Sequence, residues 1–411
     1  MCAAWSFVLN VEALTPDAKS SPRALEAFQR LRGYERLLGN PATPRKVSSR
    51  AAYIIGRFQS FNEYRKYLSD DSWEDIEYFL GVVLHQTQPL FLYVDDIDRN
   101  YAWAPGIWTQ CQRGLFYAVF SLLKQEILRN KLHVVVALRD TTLATIASGE
   151  HATRYAEEVH INHLKWTRES VLFFLDEKLR QLPPTFFSGP KRSYESWLGL
   201  PHVTNSRKHA SSEGVGSYII RHTRLLPRDI VYVGNAICTH LQENGMKPID
   251  EGTLRDIVSR TSRSVVRAEL SSLRNEIRSD SLEVTVEGED GSGAVTNGRE
   301  RDISAILDAI SATSFEKFNA AVLPEFESTL EETFNAGEQG TTGRRVTNLL
   351  WQHRLLSWVD ITGQSHFFEP SDFFGRSELP RSQEVWGYQW HCMMFDICPT
   401  LRDNAHSPAF P

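Results

Sequence analysis

The stretch PLFLYVDDIDRNY, residues 89–101, is the most informative about the fold of this 411-residue chain. Five apolar residues run directly into the adjacent acids Asp95 and Asp96, and Asp98 follows two positions later. A short apolar run that is bounded by polar residues is typical of a strand covered on both faces of a sheet. The sequence therefore predicts a buried strand that ends in a cluster of carboxylates.

A second strand of the same kind is predicted in KLHVVVALRDTT, residues 131–142, which also ends in polar residues. The segment between the two strands, GLFYAVFSLLKQEILRN, is predicted to be helical. A strand, a helix and a strand in this order form a right-handed parallel crossover, and open α/β sheets bind ligands at the carboxyl ends of their strands. We therefore expect a parallel sheet whose ligand edge carries Asp95, Asp96 and Arg139.

Changes in composition divide the chain into four segments. These are an α/β core over 1–165, a helical domain over 166–279, a linker over 280–300, and a last domain with a C-terminal tail over 301–411. The linker is acidic and rich in glycine, which is typical of a flexible connection. The last domain has the pattern helix, helix, helix, hairpin, and RRVTNLLWQHRLLSWVDITGQSHFFEP, residues 344–370, holds the third helix and the hairpin. This order of elements resembles a winged helix.

Composition excludes several classes of protein. The formal net charge is −6, so the chain as a whole does not resemble a nucleic-acid coat protein. Its five cysteines are scattered without CxxC spacing, which favours a reducing compartment over a zinc site or a disulfide framework. No apolar run approaches the roughly 20 residues of a membrane span, and no signal peptide is evident. These features predict a cytoplasmic protein without a membrane partner.

The paired acids suit one chemistry in particular. A magnesium ion that is bound to phosphates needs a carboxylate nearby, and a second carboxylate can orient or deprotonate the attacking water. Neighbouring residues of a strand point to opposite faces, so Asp95 and Asp96 can both reach a ligand only if the strand ends between them. An alternative stays open, because aspartate at the end of a strand also caps turns.

Three motifs carry a family resemblance. The stretch LFLYVDDID resembles the Walker B strand of P-loop NTPases, and its continuation into Asp98 and Arg99 is most similar to the STAND and KAP-like group of bacterial P-loop ATPases. The stretch VVVALRD, residues 134–140, resembles the next sheet strand of that group, which has a sensor-type polar residue at its tip. The stretch LLPRDIVYVGNAI, residues 225–237, resembles its lid-helix motif.

The resemblance implies a fold, a function and ligands. The implied fold class is α/β, with an incomplete parallel-sheet P-loop NTPase-like core, a helical lid and a C-terminal winged-helix-like domain. The implied function is that of a nucleotide-switched regulator in bacterial stress or anti-phage signalling, with a protein partner or self-association. The implied cofactors are ATP and Mg²⁺.

The resemblance also assigns roles to four residues. Asp95 would hold the magnesium shell, and Asp96 would be the base or the water-positioning acid. Arg139 would be a sensor or phosphate contact, and Arg228 a sensor on the lid. From the residues alone, Arg139 can equally form an ion pair with Asp140 or Asp95, and Arg228 can be a surface residue in the first turn of its helix.

One part of the family pattern is missing. P-loop ATPases need a glycine-rich loop whose backbone N–H groups, lysine and Ser or Thr hold the phosphates and the metal ion. The sequence contains no Gly-Lys dipeptide, and GEQGTTGRR, residues 337–345, has arginine for lysine and follows the Walker B-like strand. The start of the chain thus resembles the family downstream of its loop, through truncation or as a natural variant without the loop. ATP hydrolysis by the chain alone does not follow from this sequence.

Two alternatives to an ATPase stay open. The chain can be a non-enzymatic interaction protein that is built on a degenerate ATPase core. It can also be a DNA-binding regulator, since the candidate recognition helix offers Arg344, Arg345 and Arg354. The aromatic stretch WGYQWHCMMFDIC, residues 386–398, is predicted to pack in the core or to form a docked tail in preference to a partner-binding stripe.

Overall fold

The computed structural model describes most of the chain, in two compact units. The described residues are 21–34, 60–95, 105–138, 143, 160–162, 164–205, 211–278, 292–313, 316–334, 342–369, 378–381, 385–398 and 400–401. The first unit comprises Met1–Ala102 and Ile107–Arg139, and the second comprises Trp103–Gly106 and Asp140–Pro411. The boundary between the units thus lies inside the predicted core segment 1–165, and the domain boundaries drawn from the sequence stay predictions.

The first unit is a small α/β arrangement. Its elements are α1 (Pro22–Gly33), α2 (Phe61–Leu68), α3 (Ser72–His85), β1 (Leu90–Val94), α4 (Pro105–Leu123), a 3₁₀ turn (Glu126–Leu128) and β2 (Leu132–Val136). β1 and β2 pair in parallel, with Leu90 opposite Leu132 and Val94 opposite Val136. The predicted parallel pairing across a helical connection is therefore confirmed.

The sheet of the first unit is covered on one face. Leu90, Leu92 and Val134 pack against the core that α1 and α3 build. The side chains of Phe91 and Tyr93 point to the other face, where they are 51% and 76% exposed. The prediction that β1 is buried on both faces is therefore wrong. The reason is that the described helices of this unit supply apolar side chains to one face of the sheet alone.

The second unit is mostly helical. The elements of its first part are α5 (Arg168–Gln181), a 3₁₀ turn (Pro184–Phe186), α6 (Tyr194–Leu198), the hairpin β3 (His202–Asn205) and β4 (Ser211–Gly214), α7 (Val215–Arg221), α8 (Pro227–Glu243) and α9 (Glu251–Arg278). α8 begins at Pro227, where proline is favoured because its missing N–H needs no partner in the first helical turn. Leucine, isoleucine and valine residues of α5, α7, α8 and the first half of α9 form one core.

The last part of the second unit contains three helices and a sheet. Its elements are α10 (Ser292–Ala312), β5 (Lys317–Asn319), a 3₁₀ turn (Ala320–Val322), α11 (Leu323–Thr333), α12 (Thr342–Gln352), β6 (Leu356–Asp360), β7 (Ser365–His366), β8 (Val385–Trp390) and α13 (Met394–Ile397). The strands are antiparallel in the order β5-β8-β6-β7. Three helices and a hairpin are present, but the second helix was predicted in SFEKFNAAVL, residues 314–323, and this is wrong, since residues 317–322 form β5 and a 3₁₀ turn. β8 is a further strand.

Two sequence-based predictions concern this part. Residues 292–300 of the predicted linker over 280–300 are helical in α10, and the linker itself stays a prediction. The aromatic stretch 386–398 is core, as predicted, since Tyr388, Trp390 and Met394 are almost fully buried.

Helix α9 spans the second unit. Its first half contributes Leu254 and Ile257 to the core that it shares with α8. Its second half packs against α10, α12 and α13. The helix has 28 residues, so it is about 42 Å long at 1.5 Å per residue.

Candidate functional site

Asp95 is the predicted site residue whose position in the first unit is described. It follows β1 directly and is exposed at the carboxyl edge of the sheet. The backbone N–H of Ala137 donates to the carbonyl oxygen of Val94 at 2.9 Å, so β1 and β2 end side by side. Asp96 and Arg139 lie outside the described residues. In the part of the chain that the structure describes, no three His, Cys, Asp or Glu side chains are grouped to hold a metal ion.

Arg228 lies in the second unit, in the first turn of α8, and its side chain is exposed. Asp95 belongs to the first unit and Arg228 to the second. Its neighbour Asp229 is buried, and its carboxylate accepts hydrogen bonds from the Arg224 side chain at 2.9 and 3.0 Å and from the Arg224 backbone N–H at 3.0 Å. The residue of this motif that forms the described ion pair is therefore Asp229, whereas the sequence had assigned a role to Arg228.

Arg224 and Asp229 belong to a larger group of charges, which we call the buried ion network. Its members are Arg224, Asp229, Glu269, Glu276 and His353. Glu269 on α9 accepts from Arg224 at 2.9 Å and from His353, which follows α12, at 2.8 Å. His353 also lies 3.4 Å from Glu276 on α9. The network therefore ties the start of α8 and the end of α12 to the second half of α9.

The network shifts the pKa values of its members. Burial alone would raise the pKa of Glu269, but the hydrogen bond from His353 and the charge of Arg224 outweigh burial and lower the pKa to about 2. Burial would lower the pKa of His353, but hydrogen bonds to Glu269 and Glu276 and the charges of these carboxylates raise the pKa to about 10. Both groups are thus charged at neutral pH, and the histidine is an imidazolium.

These shifts predict how stability depends on pH. The folded-state pKa of His353 is raised, so its contribution is fully present below pH 6.5 and is lost as pH rises through about 10. We expect the free energy of unfolding, measured by urea denaturation, to fall over this range by up to about 1.4 kcal/mol per pH unit. The pKa of Glu269 is lowered, so its contribution is present above pH 4.5 and is lost as pH falls through about 2. A His353→Gln variant with the same alkaline slope as the unmodified protein would contradict the assignment.

A cavity of about 950 Å³ lies inside the second unit, and we call it the basic cavity. Its walls are the start of α5, the end of α7 with the loop that follows, the end of α12, and strands β5 to β8. Six lysines and arginines line it: Lys165, Arg168, Arg221, Arg224, Lys317 and Arg354. The lining acids are Glu316 and Glu369. The excess of positive charge makes the cavity suited to an anion.

The rings that line the basic cavity include four tryptophans, Trp166, Trp351, Trp358 and Trp390. Trp166 and Trp358 are half-buried, and Trp358 stacks on His366 with 4.3 Å between the ring centroids. Trp351 is 1% exposed, and its indole N–H has no hydrogen-bond acceptor among the described residues. This N–H is buried among protein atoms and is not exposed to the cavity. Sequence patterns gave no signal for this site, because its walls come from segments far apart in the chain.

The three arginines of the candidate recognition helix are engaged within the chain. Arg344 forms an ion pair with Glu378, and Arg345 donates to the backbone carbonyl of Glu276 at 2.6 Å. Arg354 is buried and donates to the backbone carbonyl of Arg224 at 3.0 Å. These contacts give the DNA-binding alternative no support.

Comparison of the chain with protein-family models, with curated proteins and with solved structures gave no significant match. Within the described ranges, no helix is both long enough and apolar enough to cross a bilayer. The case for a function therefore depends on the residues and on their geometry.

Proposed function

We propose that the chain is a regulatory protein related to P-loop ATPases of the STAND and KAP-like type. In this proposal Asp95 coordinates the magnesium ion of bound ATP, and Asp96 positions or deprotonates the attacking water. Arg139 and Arg228 contact the phosphates. The glycine-rich loop is absent from this sequence, so another polypeptide supplies the backbone N–H groups that hold the phosphates, through a partner or a longer form of the chain.

The geometry of the carboxyl edge of the β1–β2 sheet is the strongest support for the proposal. β1 and β2 are parallel and end side by side, and Asp95 is the first residue after β1. The carboxyl ends of parallel strands are where open α/β sheets bind ligands, and a carboxylate there is the ligand that magnesium prefers. An exposed acid at this edge is thus positioned for a metal–nucleotide complex.

A magnesium-dependent titration tests the proposal. We expect a non-hydrolysable ATP analogue to bind with micromolar affinity in the presence of Mg²⁺, measured by isothermal titration calorimetry. Asp95→Asn keeps the shape of the side chain but removes its charge, so binding is expected to weaken at least about 10-fold. Asp71→Asn is the matched control, because Asp71 is exposed in the same unit and asparagine caps helices as well as aspartate does. Equal affinities of the unmodified protein and Asp95→Asn would refute the role of Asp95.

A second candidate function is favoured by the uncovered sheet face. Phe91, Tyr93 and Val135 are all at least half exposed on that face, and parallel strands are usually covered on both sides. An exposed apolar face of this kind is typical of a protein interaction surface. Normal folding with no binding of the ATP analogue would favour this non-enzymatic alternative, in which the acids after β1 have no ligand.

A further inference from the structure

We propose that the basic cavity is a second ligand site, which binds a nucleotide through both its phosphates and its base and does so without magnesium or Asp95. The cavity lies wholly within the second unit, so the site does not depend on the first. Its volume of about 950 Å³ is at the upper end of the range of small-molecule sites. This inference goes beyond the proposed function, and either can fail without the other.

The charges of the cavity indicate an anionic group in the ligand. Arg221 and Arg224 are held by carboxylates of the chain, Arg221 by Glu213 at 2.9 Å. Arg168 and Lys317 line the same cavity, and neither forms an ion pair with a described residue. Arg168 is the first residue of α5, whose start is capped by Thr167. Two cations in one cavity that are not paired with described acids favour a phosphate group over a neutral ligand.

The rings of the cavity indicate a planar aromatic group in the same ligand. Trp166 and Trp358 are half-buried at its walls, which leaves part of each ring to contact a bound molecule. A nucleobase supplies a flat face that stacks on such rings.

Inorganic phosphate pairs with the cations but makes no use of the Trp166 and Trp358 rings. A neutral aromatic ligand stacks on these rings but leaves Arg168 and Lys317 without an anion. A nucleotide satisfies both with one molecule, and this is why we infer this ligand class. Because the cavity walls come from α5 and α7 on one side and from α12 and the sheet on the other, the bound nucleotide would hold these elements together.

The test uses ADP and the full chain in the presence of EDTA, so that no magnesium is available to the site at Asp95. We expect ADP to bind in isothermal titration and to change tryptophan fluorescence, because tryptophans line the cavity. Arg168→Glu and Lys317→Glu are each expected to weaken ADP binding at least about 10-fold. Arg263→Glu is the matched control, since Arg263 is exposed on α9 and lines no part of the cavity; its effect is expected to stay within about twofold.

Two further variants separate the possible outcomes. Trp358→Leu is expected to weaken the binding of ADP but not of pyrophosphate, because pyrophosphate has no base. Asp95→Asn is expected to leave ADP binding in EDTA unchanged. Thermal unfolding of each variant without ligand shows whether it is folded. The proposal is overturned if the folded protein does not bind ADP in EDTA, if Arg168→Glu and Lys317→Glu bind it as well as Arg263→Glu, or if pyrophosphate binds as tightly as ADP.

Discussion

Replacing Glu269 with alanine is expected to lower the free energy of unfolding by about 3–5 kcal/mol, the cost of removing one partner from a buried ion pair. Glu269 accepts from Arg224 and from His353, whose side chains are more than nine-tenths buried. Without it, two buried positive charges lose a shared carboxylate in a region of low dielectric constant. The cost of desolvating these charges is then no longer offset.

Urea denaturation followed by tryptophan fluorescence measures this loss. Glu243→Ala is the matched control, because Glu243 is exposed at the end of α8 and its removal is expected to change stability by no more than about 0.5 kcal/mol. Glu269→Gln keeps the shape of the side chain and is expected to be less destabilising than Glu269→Ala. A loss below about 1 kcal/mol for Glu269→Ala would show that the buried ion network contributes little to stability.

Gly343→Ala is expected to destabilise the protein by about 2–3 kcal/mol through overpacking. Gly343 lies in α12, and a Cβ atom there would stand 2.0 Å from the backbone carbonyl oxygen of Glu327 in α11. Backbone cannot move aside as the end of a flexible side chain can, so the two helices would have to separate. This close approach also holds the hydrogen bond from the Gly343 N–H to Glu331, at 2.7 Å.

A second glycine of the same unit serves as the control. Gly234 lies within α8, and a Cβ atom there would meet nothing within 4 Å. Gly234→Ala is therefore expected to stabilise the protein by about 0.5–1 kcal/mol, because alanine loses less conformational entropy in a helix. Thermal unfolding of both variants checks the pair. A Gly343→Ala variant that is as stable as Gly234→Ala would show that α11 and α12 do not pack as closely as described.

Local patterns in the sequence predicted the elements that depend on local physics. Apolar runs gave β1 and β2, and their parallel pairing follows from the helical segment between them. Pro227 marked the start of α8. The pairing of β8 between β5 and β6 was not predicted, because it joins segments that a long stretch of chain separates and that carry no pattern of the contact.

The candidate sites were predictable to different degrees. The position of Asp95 at the end of a strand follows from its place after five apolar residues. The buried ion network was missed, since Glu269 and His353 are separated by 84 positions and each is unremarkable in its own helical segment. The uncovered face of β1 was also missed, because an apolar run does not show how many helices cover it.

The length and the packing of α9 give the second unit a mechanical property. The helix is a stiff rod of about 42 Å that is fixed at one end in the core with α8 and at the other against α10, α12 and α13. A tilt of about 5° at the first end would move the other end by about 4 Å over this length. Because both ends are packed, α9 acts as a strut, so the core with α8 cannot shift along it without a matching shift of α10, α12 and α13.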